Sequence, residues 1–356
     1  MVPDAIPFAS LRRVLVIKLR HHGDVLLTSP VFSTLRRHAP NLEVDALVYA
    51  DTAPMLLGHP AITRVHCIDR DWKRQGWLAQ AQAELGLLST LRSRDYDLVI
   101  HLTEHRRGAW LARLIGARWS VAPRQDGAFW KKSFSHFYPR SNHPLRHTVE
   151  SNLDALRRLG LQPTGDDKRL TLVPGPAAEA RVEDLLTRHQ LAGGGFVHCH
   201  PASRWQFKCW PASKVARLVD ALAARNLAVV LTSAPDPNER ELIADIRAAA
   251  HGPLVDLSGQ LDLKELAALT ARARLFVGVD SAPMHIAAAM GTPTVAIFGP
   301  SGDIEWGPWG VPHRVVASDA HPCRPCGLDG CGGGKVSECL TTLPVERVLA
   351  ACDELL

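Results

Sequence analysis

Short apolar runs alternate with longer amphipathic segments along the first half of the chain. The runs RRVLVIKL (12–19), LEVDALVY (42–49) and DYDLVIHL (95–102) are rich in β-branched residues, as buried parallel strands are. Between them, VFSTLRRHAP (31–40) and LAQAQAELGLLSTLRSR (78–94) repeat apolar residues at helical spacing. Strands that alternate with helices predict a doubly wound α/β domain.

The same alternation restarts after TLVPGP (171–176), where two prolines flank a glycine and predict a hinge. We expect strands within 194–201, 227–234, 273–280 and 292–299, and helices within 212–226 and 238–250. The chain therefore divides into an N-terminal domain at 1–173 and a C-terminal domain at 177–342. Neither GxGxxG nor GxxxxGK[ST] occurs, which disfavours a dehydrogenase or a P-loop enzyme.

Composition narrows the class of protein. The chain has 356 residues, 46% of them hydrophobic, which suits two packed domains rather than disorder. No run approaches the roughly 18 apolar residues of a membrane helix, and MVPDAIPFAS lacks the features of a signal peptide, so we expect a cytoplasmic protein. The net charge of +5 is compatible with an anionic substrate or membrane surface. No dense basic block with interleaved aromatics is present, which disfavours nucleic acid as a partner.

The stretch LFVGVDSAPMHIAAAMGTPTVAIFGPSG (275–302) places polar residues between two buried strands. Pro283 and Gly291 predict a short helix at about 282–290, which begins at the carboxyl end of a strand. A helix N-terminus in that position is a natural seat for phosphate. Asp280, Ser281 and His285 are therefore candidate ligand-binding residues. The alternative is that the first two cap the helix and that His285 only packs.

Three further stretches carry candidate chemistry at predicted strand ends. Asp24, in GDVLLTSP, is either an N-cap or a general base for a substrate hydroxyl. Ser203 and Lys208 lie in HPASRWQFKCWPASKVARL, where the lysine can hold a phosphate or be a solvated loop residue. Glu239, in TSAPDPNERELI, can accept hydrogen bonds from ribose or simply favour a helix N-terminus.

Together these stretches resemble the lipopolysaccharide core heptosyltransferases of glycosyltransferase family 9. The shared pattern is a basic strand followed by "GD", a "K.W" segment, and "VGVDS..MH.AAA.G.P...IFGP", and it spans 13 to about 310. The tail CRPCGLDGCGGGKVSECL looks most like the heptosyltransferase III branch.

The resemblance implies a GT-B fold, with two Rossmann-like α/β domains that face a cleft and a C-terminal helix at 343–356 that crosses back to the first domain. It implies an inverting transfer of heptose from ADP-L-glycero-β-D-manno-heptose to the inner core of lipopolysaccharide. Asp24 matches the family's catalytic base and Lys208 its phosphate-binding lysine. The residues that match the donor loop and its motif are Asp280, Ser281, Ala282 and His285. We assign Ser203 to the same donor site. Glu239 matches the ribose-binding acid. No cofactor or divalent metal is expected, because Lys208 and the helix dipole supply positive charge.

The acceptor expected from this resemblance is an anionic lipopolysaccharide core carried on lipid A. Its phosphates and carboxylates can pair with basic residues that follow strands in the N-terminal half: Arg106, Arg107, Arg124, Lys131 and Lys132. The segment FWKKSFSHFY (129–138) mixes aromatics with lysines. It is either a membrane-facing surface, which would place the protein peripherally at the cytoplasmic face of the inner membrane, or a solvated basic loop.

Four of the eight cysteines cluster as Cys323-x2-Cys326-x4-Cys331-x7-Cys339. A CxxC pair in a glycine-rich loop is compatible with a structural zinc site, but reduced, packed thiols are the favoured interpretation.

Two rival functions stay open at this point. One is another GT-B enzyme that uses a UDP-sugar. The other is a non-catalytic protein that binds a nucleotide or a lipid-linked sugar, against which the combination of Asp24 and Lys208 argues.

Overall fold

The fold was analysed in a computed structural model, which describes residues 4–139, 145–191, 193 and 195–356. The chain forms two compact units, Met1–Leu172 and Val173–Leu356. The division falls inside the TLVPGP segment that the sequence analysis interpreted as a hinge.

The first unit is built on one parallel sheet of six strands, in the order β3-β2-β1-β4-β5-β6. The strands are β1 Arg13–Ile17, β2 Glu43–Tyr49, β3 Arg64–Ile68, β4 Leu98–His101, β5 Trp119–Pro123 and β6 His136–Tyr138. The helices are α1 His22–Leu26, α2 Ser29–His38, α3 Trp77–Ser93, α4 Arg106–Ile115, α5 Ala128–Lys131 and α6 Thr148–Leu159. Short 3-10 helices cover Phe8–Ser10, Ala50–Met55, Arg70–Arg74 and Gly165–Lys168.

The second unit repeats this plan in the order β12-β11-β10-β7-β8-β9. Its strands are β7 Val197–His200, β8 Val229–Leu231, β9 Leu254–Asp256, β10 Leu275–Val279, β11 Thr294–Phe298 and β12 His313–Ala317. Its helices are α7 Pro176–Arg188, α8 Ala212–Ala223, α9 Pro237–Ala249, α10 Leu263–Arg272, α11 Ala282–Met290, α12 Asp303–Trp306, α13 Glu338–Thr341 and α14 Val345–Asp353, with 3-10 turns at Gln206–Lys208 and Cys331–Gly333.

Both sheets have the strand order of a dinucleotide-type doubly wound fold, in which the order reverses beside the first strand of the unit. That reversal lies between β1 and β4 in the first unit and between β7 and β10 in the second. Ligands of such sheets bind outside the carboxyl ends of the strands at this point. The fold therefore predicts one binding position in each unit.

The central strands are buried on both faces, which explains why the sequence shows them as continuous apolar runs. Every residue of β10 and β11 is buried, and apolar clusters cover both faces of the second sheet. The predicted doubly wound α/β architecture is confirmed. The predicted 282–290 helix is α11 at Ala282–Met290.

The last helix, α14, belongs to the second unit. The expected crossing of 343–356 back to the first domain stays a prediction. The α14 residues Val345, Val348 and Cys352 are buried in the same apolar cluster as Val316 of β12 and Leu218 of α8. The helix thus completes the core of the unit that contains it.

Within the described part of the chain, none of the helices combines the length and the apolar character needed to span a bilayer.

Candidate functional site

Asp24 lies just beyond the carboxyl end of β1, in the first turn of the five-residue helix α1. His21 is the N-cap and makes no side-chain capping bond, and Asp24 does not cap the helix either. The Asp24 side chain is 14% exposed, and its nearest cation is Arg20, with Nε 3.8 Å from Oδ1. Among the described residues this long contact is the one ion pair of Asp24, so its oxygens stay available to a substrate hydroxyl, as those of a base must.

A buried lysine, through its hydrogen bonds, connects α1 to neighbouring elements of the first unit. Lys18, directly after β1, donates from Nζ to the Leu102 carbonyl at 3.1 Å and to Asn152 Oδ1 at 3.2 Å. Asn152 in turn donates to the carbonyl of Leu27, the C-cap of α1. Burial lowers the pKa of Lys18 to about 8, and the negative charge of Asp24 opposes that shift. The network joins β1, β4 and α6 to the short helix that carries Asp24.

A cavity of about 300 Å³ opens at the carboxyl ends of β1 to β4. Its cationic side chains are Arg20, Arg70, Lys73 and Arg107, and its carboxylates are Asp69 and Glu84. With the histidines neutral, these six side chains sum to a charge of +2, since four cations face two anions. Tyr49 and Trp72 contribute aromatic surface, and the Arg70 guanidinium lies 4.1 Å from the Tyr49 ring centroid. Aromatic faces beside cations suit an anionic sugar.

The five predicted acceptor residues do not form one group. Arg107 lines this basic cavity, where it forms an ion pair with Glu84. Arg106 is the exposed first residue of α4, and Arg124 is exposed directly after β5. Lys131 pairs with Asp126 at 3.3 Å on the surface, and Lys132 is also exposed. The other four predicted acceptor residues are absent from the cavity lining among the described residues: Arg106, Arg124, Lys131 and Lys132.

The aromatic residues of FWKKSFSHFY pack inward. Trp130 is 3% exposed and Phe134 is 6% exposed, and both belong to the core of the first unit, where Phe134 stacks on His101. Phe129 and Phe137 are partly buried against the same core. The segment therefore presents its lysines to solvent but not an aromatic face that could enter a membrane.

The donor-site residues predicted in the second unit meet at the carboxyl ends of β7 and β10. Lys208, in the 3-10 turn after β7, places Nζ 2.5 Å from Oδ2 of Asp280, the residue after β10. The side chains are 17% and 9% exposed. Lys208 also lies 4.9 Å from the centroid of the Trp205 ring. Asp280 is thus a partner of the lysine and not a helix cap.

Ser281, Ala282 and His285 surround the start of α11. Ser281 is the N-cap, yet it makes no side-chain capping bond, and its hydroxyl donates instead to the Val279 carbonyl at 3.3 Å. Ala282 begins the helix, and His285 is buried on its second turn. Ser203 is buried in the preceding loop, where its hydroxyl accepts from the Trp205 amide at 3.4 Å. Ser281 and Ala282 thus form the turn at which the phosphate hypothesis places its ligand, and Ser203 lies in the loop after β7.

Glu239 has a structural contact of its own. It is buried in the first turn of α9, and Oε2 accepts a hydrogen bond of 2.8 Å from the Ala234 amide. Burial raises the pKa of the carboxyl, and the Ala234 amide opposes the rise. Asp236 is the N-cap of this helix.

The four clustered cysteines are free thiols, of which Cys339 is buried and Cys323, Cys326 and Cys331 are exposed. Among the described residues, no three His, Cys, Asp or Glu side chains are arranged to hold a metal ion. The structure therefore does not support the zinc alternative. The tail CRPCGLDGCGGGKVSECL carries free thiols, with Cys331 in a 3-10 turn and Cys339 in α13.

Sequence reasoning missed several residues of both binding positions. Arg70 and Lys73 follow β3, an edge strand whose mixed RVHCI pattern the sequence analysis did not recognise. Arg20 and Lys18 were visible as basic residues at the end of β1, but only the structure shows that one lines the cavity and the other is buried. His200, at the end of β7, is the fifth missed residue.

The model of "Glycosyltransferase family 9 (heptosyltransferase)" matches residues 85–336. "Lipopolysaccharide heptosyltransferase 3" of Escherichia coli K12 is 36% identical over 95% of this chain and 96% of its own.

Two solved structures show the same fold. A glycosyltransferase family 9 protein from Veillonella parvula gives a TM-score of 0.85 at 22% identity, with 99% of both chains covered. The E. coli heptosyltransferase WaaC with ADP-2-deoxy-2-fluoro heptose gives a TM-score of 0.71 at 21% identity, over 96% of this chain and 99% of that one.

Proposed function

The chain belongs to glycosyltransferase family 9, the heptosyltransferase family, and from this premise we propose that it transfers heptose from ADP-L-glycero-β-D-manno-heptose to the inner core of lipopolysaccharide. Its fold is GT-B, with two Rossmann-like α/β units, as the sequence analysis expected. Relatives named as lipopolysaccharide heptosyltransferase 3 and a neighbour bound to an ADP-heptose analogue support the acceptor and donor classes.

The observation that carries the donor half is the contact between Lys208 and Asp280. It holds an ammonium group beside the N-terminus of α11, at the point where the strand order of the second unit reverses. A cation next to a helix N-terminus is the arrangement that binds a diphosphate and stabilises it as a leaving group. We propose that the ADP diphosphate lies there, between Lys208, Ser203 and the Ser281–Ala282 turn, with Glu239 on the ribose.

The acceptor half of the proposal lies in the first unit. Asp24 removes the proton from the acceptor hydroxyl, whose oxygen attacks the anomeric carbon of the heptose as the bond to ADP breaks. The attack comes from the face opposite the leaving group, so the configuration inverts. The basic cavity beside Asp24 receives anionic groups of the acceptor, with Arg20, Arg70, Lys73 and Arg107 as the pairing cations.

We further propose that transfer needs no divalent metal, because Lys208 and the α11 dipole supply the positive charge that the leaving ADP requires. Transfer rates should then be equal with and without EDTA. A requirement for added Mg²⁺ or Mn²⁺ would contradict this part of the proposal.

The lipid-anchored acceptor further supports a peripheral position of the protein at the cytoplasmic face of the inner membrane. Cell fractionation tests this position.

The donor assignment is tested by calorimetry with ADP, ADP-heptose, UDP and GDP. We expect selective binding of the adenine compounds, and a loss of about tenfold or more for Lys208→Ala, since it removes a charge-assisted contact. Lys335→Ala is the matched control, because it also breaks a lysine–aspartate pair, with Asp329, but on the surface. Preference for UDP would instead indicate a UDP-sugar enzyme.

The base assignment is tested by turnover of Asp24→Asn. The loss of a general base reduces the rate by about 10²- to 10⁴-fold, while ADP binding should stay unchanged. Asp95→Asn is the control, since Asp95 is an exposed carboxylate of the same unit, 3.2 Å from Arg12 and away from the basic cavity. Full turnover by a folded Asp24→Asn protein would refute Asp24 as the base. Donor binding without turnover in the wild type would indicate the non-catalytic alternative.

A further inference from the structure

Two histidines of β7 belong to a buried hydrogen-bond chain at the centre of the second unit. His198 bonds the Thr270 hydroxyl through Nδ1 at 2.9 Å and the Thr232 hydroxyl through Nε2 at 2.7 Å. His200 bonds the same Thr232 hydroxyl through Nδ1 at 2.8 Å. All four side chains belong to residues that are at least nine-tenths buried.

The donor and acceptor of each bond in this hydrogen-bond chain follow from the bond made by the Thr270 hydroxyl. The Thr270 hydroxyl donates to the Leu266 carbonyl, which can only accept, at 2.7 Å. That hydroxyl has no second proton, so it accepts from His198, and Nδ1 of His198 carries a hydrogen. Burial holds the pKa of His198 well below 6.5, so the ring is neutral and its Nε2 is a bare acceptor.

The donor and acceptor in the bond to His200 follow in the same way, because each hydroxyl has one proton to donate. Thr232 must donate its single hydroxyl proton to Nε2 of His198. It can therefore only accept from His200, whose Nδ1 carries the hydrogen. Burial lowers the pKa of His200 to about 3, so this ring is neutral as well. Nε2 of His200 is consequently an unprotonated acceptor.

His200 itself lies at the strand end where a ligand of the second unit is expected. His200 is the last residue of β7, and it pairs in register with Gly278 of β10, two residues before Asp280. A Cβ on Gly278 would lie 2.9 Å from the His200 carbonyl, so the two strands approach closely here. Within the described part of the chain, Nε2 of His200 has no hydrogen-bond partner, although the residue is only 5% exposed.

We propose that Nε2 of His200 accepts a hydrogen bond from a hydroxyl group of the bound sugar nucleotide. This inference rests on the proposed function, since it concerns the same donor position. Phosphate oxygens cannot be the partner, because an ionised phosphate offers only acceptors. A sugar hydroxyl has the proton that this nitrogen lacks, and His200 thus selects for the sugar part of the donor while Lys208 holds the diphosphate.

The tautomer is tested first, by long-range ¹H–¹⁵N correlation spectra of the full chain labelled on histidine. We expect a protonated Nδ1 and a bare Nε2 for His200 across pH 6 to 8. Thr232→Val removes the hydroxyl that fixes this state, and the Nε2–H tautomer should then appear. A protonated Nε2 in the wild-type protein would overturn the inference.

The contact is tested by calorimetry with ADP-heptose and with ADP. His200→Leu should weaken ADP-heptose binding by about three- to tenfold, the effect of one neutral hydrogen bond. His189→Leu, an exposed histidine of the same unit, is the control and should bind like the wild type. A loss for ADP-heptose alone identifies a heptose hydroxyl, and an equal loss for ADP identifies a ribose hydroxyl.

Unchanged affinity of a folded His200→Leu protein for both compounds would overturn the contact. Wild-type protein that binds neither compound would overturn the proposed function, and the contact with it. The two failures are therefore distinguishable, because the first needs a wild type that binds.

Discussion

At the scale of single residues, the first unit buries a cation, Lys18, with no carboxylate among the described residues within hydrogen-bonding distance. Lys18 is 6% exposed, and it donates to the Leu102 carbonyl and to the side-chain amide oxygen of Asn152. Burial of an ammonium group among neutral partners destabilises the folded state. Its hydrogen bonds to Leu102 and Asn152 connect β1, β4 and α6 beneath the short helix that carries Asp24.

The buried lysine predicts a pH dependence of stability. With a pKa of about 8 in the folded protein against 10.5 in the unfolded chain, Lys18 loses its proton first in the native state. Between these values the unfolded chain binds more protons, so stability rises with pH. From pH 7.5 to 9.5, the unfolding free energy of the wild type should gain about 2 kcal/mol relative to Lys18→Met.

Urea unfolding of both proteins at the two pH values measures this difference. The hydrogen bonds of Lys18 are absent from the Lys18→Met variant at both pH values, so their loss cancels when the two pH values are compared. Parallel pH profiles of the wild type and Lys18→Met would show that the lysine does not titrate in this window.

At the scale of elements, the approach of α4 to β4 depends on one glycine. A Cβ on Gly108 would lie 2.0 Å from Cε1 of His101, a fully buried ring that stacks on Phe134. Because α4 also carries Arg107, this contact fixes one wall of the basic cavity.

A pair of identical substitutions tests this packing. Gly108→Ala should lower the unfolding free energy by about 1–3 kcal/mol, as overpacking does. Gly86→Ala, in the exposed interior of α3, meets nothing within 4 Å and should raise it by about 0.5–1 kcal/mol. Equal effects in chemical denaturation would contradict the close approach of α4 to His101.

At the scale of the whole molecule, the residues proposed to bind the donor all belong to one unit with its own core. Lys208, Asp280 and His200 lie in Val173–Leu356, whose sheet is covered on both faces. Residues 173–356 expressed alone should therefore fold and bind ADP within about threefold of the full chain, as calorimetry can measure. A folded fragment without ADP affinity would contradict a donor site built from this unit alone.

The sequence predicted the central strands correctly, and it located the turn at Asp280, because both leave a local signal. Strands such as β10 are buried along their whole length, and Asp280 follows one directly. The edge strands β3 and β12 are only partly buried, so their polar residues hide the pattern. The basic cavity was missed because its cations come from separate strand ends and converge only in the fold.

The ion pair between Lys208 and Asp280 has a kinetic consequence under the proposed function. An arriving diphosphate exchanges one anion for another at the ammonium group, so Lys208 is never left without a counter-charge. The carboxylate competes with the nucleotide, which limits affinity for the spent ADP as much as for the donor. When ADP departs, Asp280 takes back the lysine, and this exchange shortens the time that product occupies the enzyme.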